Sequence, residues 1–152
     1  MKNILILFIG ISISTFSLYS QNKTIAGRVI TDQLETIPGV FIMINDTVEV
    51  GRSDLEGFFQ IEIPITTNKI SFQYVGIDPT TIELEGKCDK IEVVMMMTGT
   101  DDFMSLKRSE RMRKKRYKKL PEIHRKAYEN GIFKTAKACY NREFEPYYLD
   151  GN

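Results

Sequence analysis

A chain of 152 residues has room for one domain with a real core, and only a small one once its ends are set aside. Its formal net charge of +1 conceals a separation of sign: residues 22–100 carry 6 Lys/Arg against 12 Asp/Glu, and residues 101–152 carry 14 against 8. Such asymmetry describes an acidic body with a basic appendage, able to meet a polyanion, an acidic lipid surface or the body itself. One His and two Cys are too few soft or imidazole ligands for a zinc site, so no metal ligands and no cofactor are assigned.

The chain opens with MKNILILFIGISISTFSLYSQ, where Lys2 precedes an apolar stretch from Ile4 to Phe16 and then smaller, more polar residues. This is the grammar of a secretory signal, assigned to residues 1–21 with cleavage at Ser20 or Gln21. Gly10, Ser12, Ser14 and Thr15 interrupt the apolar run, which falls below comfortable bilayer-spanning length. No later segment is apolar enough to span, so an exported chain without a transmembrane helix is expected.

From Lys23 onward, apolar residues recur with a period near two, the mark of half-buried strands. Ile25, Gly27 and Val29 alternate through a first strand over 23–30, and the run TDQLETIPG carries turn formers up to Pro38-Gly39. VFIMIN is apolar on both faces, which predicts a central strand. A short strand over 47–52 and the turn SDLEG lead into FFQIEI, where Phe59, Ile61 and Ile63 share one side. KISFQYVGI, residues 80–85 and residues 90–96 complete the series, the last two separated by EGKCDK. Seven short strands with turn signals between them predict an all-β sandwich over residues 22–99, with a barrel as the alternative. The last strand, IEVVMMM, is apolar on both faces and needs a cover, for which the tail is one candidate.

Beyond Gly99 the chain becomes charged and helix-favouring. Asp101 or Asp102 is positioned to cap a helix running to Pro121, and Pro121 with Asn130-Gly131 delimits a second short helix. The end of this 100–152 tail holds Phe133, Tyr140, Phe144, Tyr147 and Tyr148, an aromatic density that predicts docking on the sandwich.

The segments GRVITD, IPGVFIMI, GRSDLEGFFQIEI and KISFQYVGI together resemble the carboxypeptidase regulatory-like domain, a transthyretin-like sandwich also found at the N-termini of TonB-dependent receptors. The resemblance spans residues 24–97 and rests on structural positions. Pro38-Gly39-Val40 looks like the family's turn into its second strand. Asp54 and Gly57 stand where its hairpin needs a side-chain acceptor and a positive φ. Ile77 stands where the family usually has an aromatic residue. The resemblance implies a seven-stranded Ig-like or transthyretin-like fold and an envelope location, periplasmic or associated with the outer membrane of a Gram-negative bacterium. It implies no activity, since such sandwiches serve as spacers and docking modules.

No catalytic residues are assigned. The zinc ligands of a carboxypeptidase are missing, and His124, set among Lys119, Arg125 and Lys126, reads as an ordinary surface residue. Asp54 and Glu56 with Gly57 read as a hairpin turn rather than a calcium loop, because Leu55 and Phe58 occupy neighbouring places. Export permits a disulfide between Cys88 and Cys139, which would stabilise the fold by about 3–4 kcal/mol in the chain-entropy account; the other reading is two unrelated thiols. Lys107, Arg108, Arg111, Arg113, Lys114, Lys115, Arg116, Lys118 and Lys119 form the candidate contact for a partner: an envelope protein, or an anionic glycan or lipid surface. Export disfavours nucleic acid. The competing reading of this cluster is a solvated helix face that partly neutralises the acidic body. Together these observations predict a non-catalytic exported accessory module, or alternatively a small structural envelope protein whose tail packs on its own sandwich. Oligomeric state is left open.

Overall fold

The computed structural model describes residues 21–86, 88–99 and 104–147. All but the last residue of the expected signal, the proposed capping residues Asp101 and Asp102, and Tyr148 of the aromatic end lie outside this set. The described chain runs β1 (Asn22–Thr31), β2 (Phe41–Ile44), β3 (Val48–Arg52), β4 (Phe58–Pro64), β5 (Lys69–Tyr74), β6 (Ile77–Leu84), β7 (Lys90–Met95), α1 (Leu106–Tyr117), α2 (Leu120–Glu129) and β8 (Tyr140–Asn141). One sheet has the order β4-β1-β7 and the other β3-β2-β5-β6-β8. The two sheets face each other as a β-sandwich. β1 runs antiparallel to β4 and parallel to β7, while every pair in the five-stranded sheet is antiparallel.

The period-two pattern determines which side chains meet between the sheets. Ile25 and Val29 of β1, Phe59, Ile61 and Ile63 of β4, and Ile91, Val93 and Met95 of β7 pack against Ile42, Ile44, Ile70, Phe72 and Ile82 of the opposing sheet. Phe59 and Phe72 meet across the sandwich edge-to-face, with ring centroids 5.5 Å apart. Gly27 leaves room for this packing: a Cβ there would lie 1.8 Å from the Ile91 carbonyl oxygen and 2.8 Å from the Phe59 ring.

The turns follow from local chemistry. Asp54 Oδ1 accepts hydrogen bonds from the backbone N–H groups of Glu56 (3.0 Å) and Phe58 (2.8 Å), and Gly57 adopts φ +80°. After Pro38, Gly39 takes φ +72°, and the buried Ser53 hydroxyl both accepts from Val40 N–H and donates to the Ile37 carbonyl. Asn45 and Asp46 both have positive φ, which these short polar residues tolerate at the β2–β3 hairpin.

One segment departs from its sequence pattern. KISFQYVGI reads as one continuous strand by residue type, yet it breaks into β5 and β6, with Tyr74 paired to Ile77 and Val75-Gly76 forming the hairpin between them. Gly76 takes φ +77°, and the turn leaves Val75 90% exposed. The apolar side chains here mark a tight turn rather than a buried strand.

Within β5, Ser71 is buried, and its hydroxyl has no hydrogen-bond partner among the described residues. A buried, unsatisfied hydroxyl costs free energy that an apolar side chain of similar shape does not. Ser71→Ala is therefore expected to stabilise the protein by about 1 kcal/mol, read as a raised urea midpoint with an unchanged denaturant slope.

The tail covers the outer face of the three-stranded sheet. Ile30, Val94 and Met96, on the side opposite the main core, form a second cluster with Leu120, Ala127 and Phe133. The two apolar faces of IEVVMMM thus serve two cores. Arg28 fastens the end of this cover, donating to the Ile132 carbonyl at 3.0 Å. No helix among the described residues is long and apolar enough to cross a membrane.

Candidate functional site

α1 begins without help from its ends: Ser105 occupies the N-cap with no side-chain capping bond, and the first turn holds no acidic residue. Lys114, Lys115 and Arg116 in the last turn suit the negative end of the helix dipole. What holds α1 in place is a set of anchors on one side. Arg113 reaches Asp78 at 2.8 Å, with side chains only 12% and 2% exposed, and also pairs with Glu110 at 3.0 Å. Arg116 reaches Asp32 at 2.7 Å and the Met97 carbonyl at 2.6 Å. Tyr117 donates its hydroxyl to the Arg142 carbonyl.

The nine basic positions therefore divide into two groups. Arg113 and Arg116 belong to the fold. Lys107, Arg108, Arg111, Lys114, Lys115, Lys118 and Lys119 are exposed, and among the described residues no carboxylate forms an ion pair with any of them. At about 100° per residue, the five within α1 fall within an arc of roughly 120° on its outward side, and Lys118 and Lys119 follow in the turn to α2. Lys114 also lies 5.9 Å from the Phe144 ring. A surface of this kind attracts anions, and bulk salt weakens the attraction.

The aromatic end of the tail locks the anchors. Arg113 lies 3.8 Å from the Tyr147 ring centroid and 4.7 Å from that of Phe144. Tyr147 donates to Asp78 Oδ1 at 2.8 Å. Burial, then Asp78, pushes the Tyr147 hydroxyl up to about 12, so it remains a donor throughout the physiological range.

The same tail closes the open side of the sandwich. Ala26 N–H bonds to the Asp89 carbonyl and Asp32 N–H to the Met95 carbonyl, so the odd-numbered residues of β7 face β1. The carbonyls of Lys90, Glu92, Val94 and Met96 consequently point away from β1. The Cys139 sulfur lies against the first, Tyr140 O–H donates to the second (3.1 Å), Arg142 to the third (2.8 Å) and Asp78 N–H to the fourth (2.8 Å). Meanwhile Tyr140 and Asn141 pair by backbone with Leu84 and Glu83 of β6. A strand of two residues thus spans both sheet edges, an arrangement that blunts edge-to-edge pairing. Cys88 and Cys139 form a disulfide with Cα atoms 5.9 Å apart, fastening this segment at its start.

Glu92 anchors the approach to that segment. It is buried on the outer side of β7, and its carboxylate accepts from Lys134 N–H, Thr135 N–H and the Thr135 hydroxyl.

His124 is not the surface residue that its basic neighbours suggest. It is 4% exposed, its ring lies 4.8 Å from that of Phe133, and Nε2 sits 3.1 Å from the Thr135 carbonyl. Helical phase turns its ring to the sheet while Arg125 and Lys126 stay outside. Burial holds the ring below its usual value of 6.5, against smaller opposing effects of the Thr135 hydrogen bond and Glu92. The unfolded chain thus binds a proton at higher pH than the folded one, so this contribution to stability is complete above pH 6.5 and declines as pH falls through it. The unfolding temperature should fall between about pH 7.5 and 5.5, and His124→Asn should flatten that slope.

The turn residues Pro38, Gly39, Asp54 and Gly57 lie in the loops joining β1 to β2 and β3 to β4, apart from the basic helix. Among the described residues, no group of three or more His, Cys, Asp or Glu side chains is placed to hold a metal. No protein-family model matches the chain, and no curated protein matches it. Among solved structures, it is similar to the crystal structure of the C-terminal domain of the PapC usher, at 14% identity and a TM-score of 0.36, covering 51% of this chain and 100% of that one.

Proposed function

We propose that this chain is a non-catalytic, exported accessory module of the bacterial cell envelope that docks an anionic surface of a protein or glycan through the outward face of α1. The observation that carries the reading is the division of the basic cluster: two arginines hold the helix to the sandwich, and seven cations remain exposed on the opposite side. A helix anchored by one face and charged on the other is suited to presenting that charge. The Cys88–Cys139 bond fits an oxidising compartment, periplasmic or at the outer membrane of a Gram-negative bacterium. The Asp54–Gly57 hairpin and the Pro38-Gly39 turn support a carboxypeptidase regulatory-like, transthyretin-like sandwich with Ig-like topology.

Cross-linking in intact cells, followed by affinity isolation and mass spectrometry, tests the proposal. A recurrent envelope partner joined through Lys107, Lys115 or Lys118 is expected. The triple variant Lys107→Glu, Arg111→Glu, Lys115→Glu should release that partner without changing the unfolding temperature. A free monomer whose tail peptides cross-link only to its own sandwich would defeat the docking reading. It would favour a small structural envelope protein instead, a reading motivated by the tail's closure of its own β6 and β7 edges.

A further inference from the structure

A cleft of about 340 Å³ lies between the α1–α2 junction and the segment that enters β8, within the size range of small-molecule sites. Leu120, Pro121, Val94, Ala136 and Ala138 give it apolar walls, to which the Tyr117 and Tyr140 rings contribute. Both tyrosine hydroxyls are already engaged with backbone carbonyls, and His124 Nε2 is engaged with Thr135. The charged residues of the lining are Lys118, Lys137 and Arg142, with no Asp or Glu among them.

Arg142 makes this imbalance specific. Burial is the main influence lowering its guanidinium from the usual value, yet an arginine stays charged at any physiological pH. Two of its five N–H donors reach neutral acceptors, the Val94 carbonyl at 2.8 Å and the Thr80 hydroxyl at 3.0 Å. Among the described residues it has no carboxylate partner. Asp78, whose charge it feels, is committed to Arg113 and Tyr147. Arg142 also lies 5.5 Å from the Tyr117 ring centroid; a partly buried cation whose direct partners are all neutral favours an anion beside it.

We propose that this cleft is a binding site for a small amphipathic carboxylate, with its apolar body on Leu120, Pro121 and Ala136 and its anionic head against Arg142 and Lys137. The site is separate from the outward cations of α1 except for Lys118, which lies on the shared rim.

The test is titration of the oxidised, full mature chain with octanoate, with N-acetyl-leucine and with neutral octanol, followed by NMR at the methyl groups of Val94, Leu120, Ala136 and Ala138. Saturable shifts at these methyls with at least one carboxylate are expected, and octanol should bind at least about tenfold more weakly. Preference for octanoate would identify an acyl-chain ligand, and preference for N-acetyl-leucine a peptide-type carboxylate; either supports the site. Ala136→Phe, at an exposed position, should abolish binding by filling the cleft, and Lys137→Gln should weaken it several-fold without altering the unfolding midpoint. The Lys107→Glu, Arg111→Glu, Lys115→Glu variant should bind as well as the parent, which separates this site from the docking face. Equal affinity for octanol, undiminished binding by Ala136→Phe, shifts confined to the α1 lysines, or no saturable binding of either carboxylate would each overturn the proposal.

Discussion

Replacing Arg113 by Ala should cost about 3–5 kcal/mol, because it leaves a buried carboxylate without its ion-pair partner. Asp78 is 2% exposed and takes its ion pair from Arg113 alone among the described residues; the Tyr147 hydroxyl bonded to it is a neutral donor and cannot replace a charge. The guanidinium also supports the Tyr147 and Phe144 rings, so their packing loosens in the same variant. For a domain of this size, such a loss is a large fraction of the total stability, of order 5–15 kcal/mol. Urea unfolding of four proteins (parent, Arg113→Ala, Asp78→Ala and the double variant) measures the coupling. The double variant should be distinctly less destabilised than the sum of the single ones, since removing both charges leaves neither orphaned. Strict additivity would mean that the pair contributes nothing to holding α1.

Removing the disulfide with Cys88→Ser and Cys139→Ser should cost about 3–4 kcal/mol, the loop-closure entropy of a bridge across a separation of 51 residues. The native structure adds a spatial prediction to this total. Cys139 is the residue before β8, whose two residues pair with β6, while Tyr140 and the neighbouring Arg142 meet the outward carbonyls of β7. Without the bridge, β8 is held by two backbone pairings and a few side-chain bonds, so it should fray before the sandwich unfolds. Hydrogen exchange should therefore accelerate first at Tyr140 and Asn141, while β1, β4 and β5 keep their protection. A uniform loss of protection would indicate instead that the bridge acts only on the unfolded chain.

The two variants probe different attachments of one tail. Arg113 holds α1 over the end of the sandwich near the β5–β6 hairpin, and the disulfide holds β8 along the open edge. Between them, Leu120 and Ala127 of α2 and Phe133 just beyond it hold the helix by apolar contact with Ile30, Val94 and Met96. If these attachments are independent, destabilisation by the two changes should add.

Much of the sandwich is legible in the order of residues along the chain. Ile25, Val29, Phe59, Ile61 and Ile63 alternate in the sequence and line the core, because side chains in a strand point alternately to either face. Asp54 and Gly57 are identifiable as turn residues because their turn is satisfied within five residues. KISFQYVGI misleads because its local signal is ambiguous: Tyr74, Val75 and Ile77 favour strand by type, and only the pairing of β5 with β6 shows that Val75-Gly76 is a turn. His124 misleads for a related reason, since its charged neighbours are exposed while its own ring faces the sheet.

Elements whose causes lie within a few residues follow from the chain alone: the alternating strands, the turns at Gly39 and Gly57, the helix whose first turn holds Pro121 and the basic character of the tail. Three-dimensional packing is needed to sort nine similar cations into those that hold the fold and those that stay exposed. It is needed equally to join two cysteines 51 residues apart, to set β1 and β7 parallel and to bring Tyr140 and Arg142 to the edge of β7. The difference is one of range. Backbone propensity and periodicity act between near neighbours in the chain, whereas ion pairing, edge closure and burial of a ring depend on groups brought together from tens of residues away.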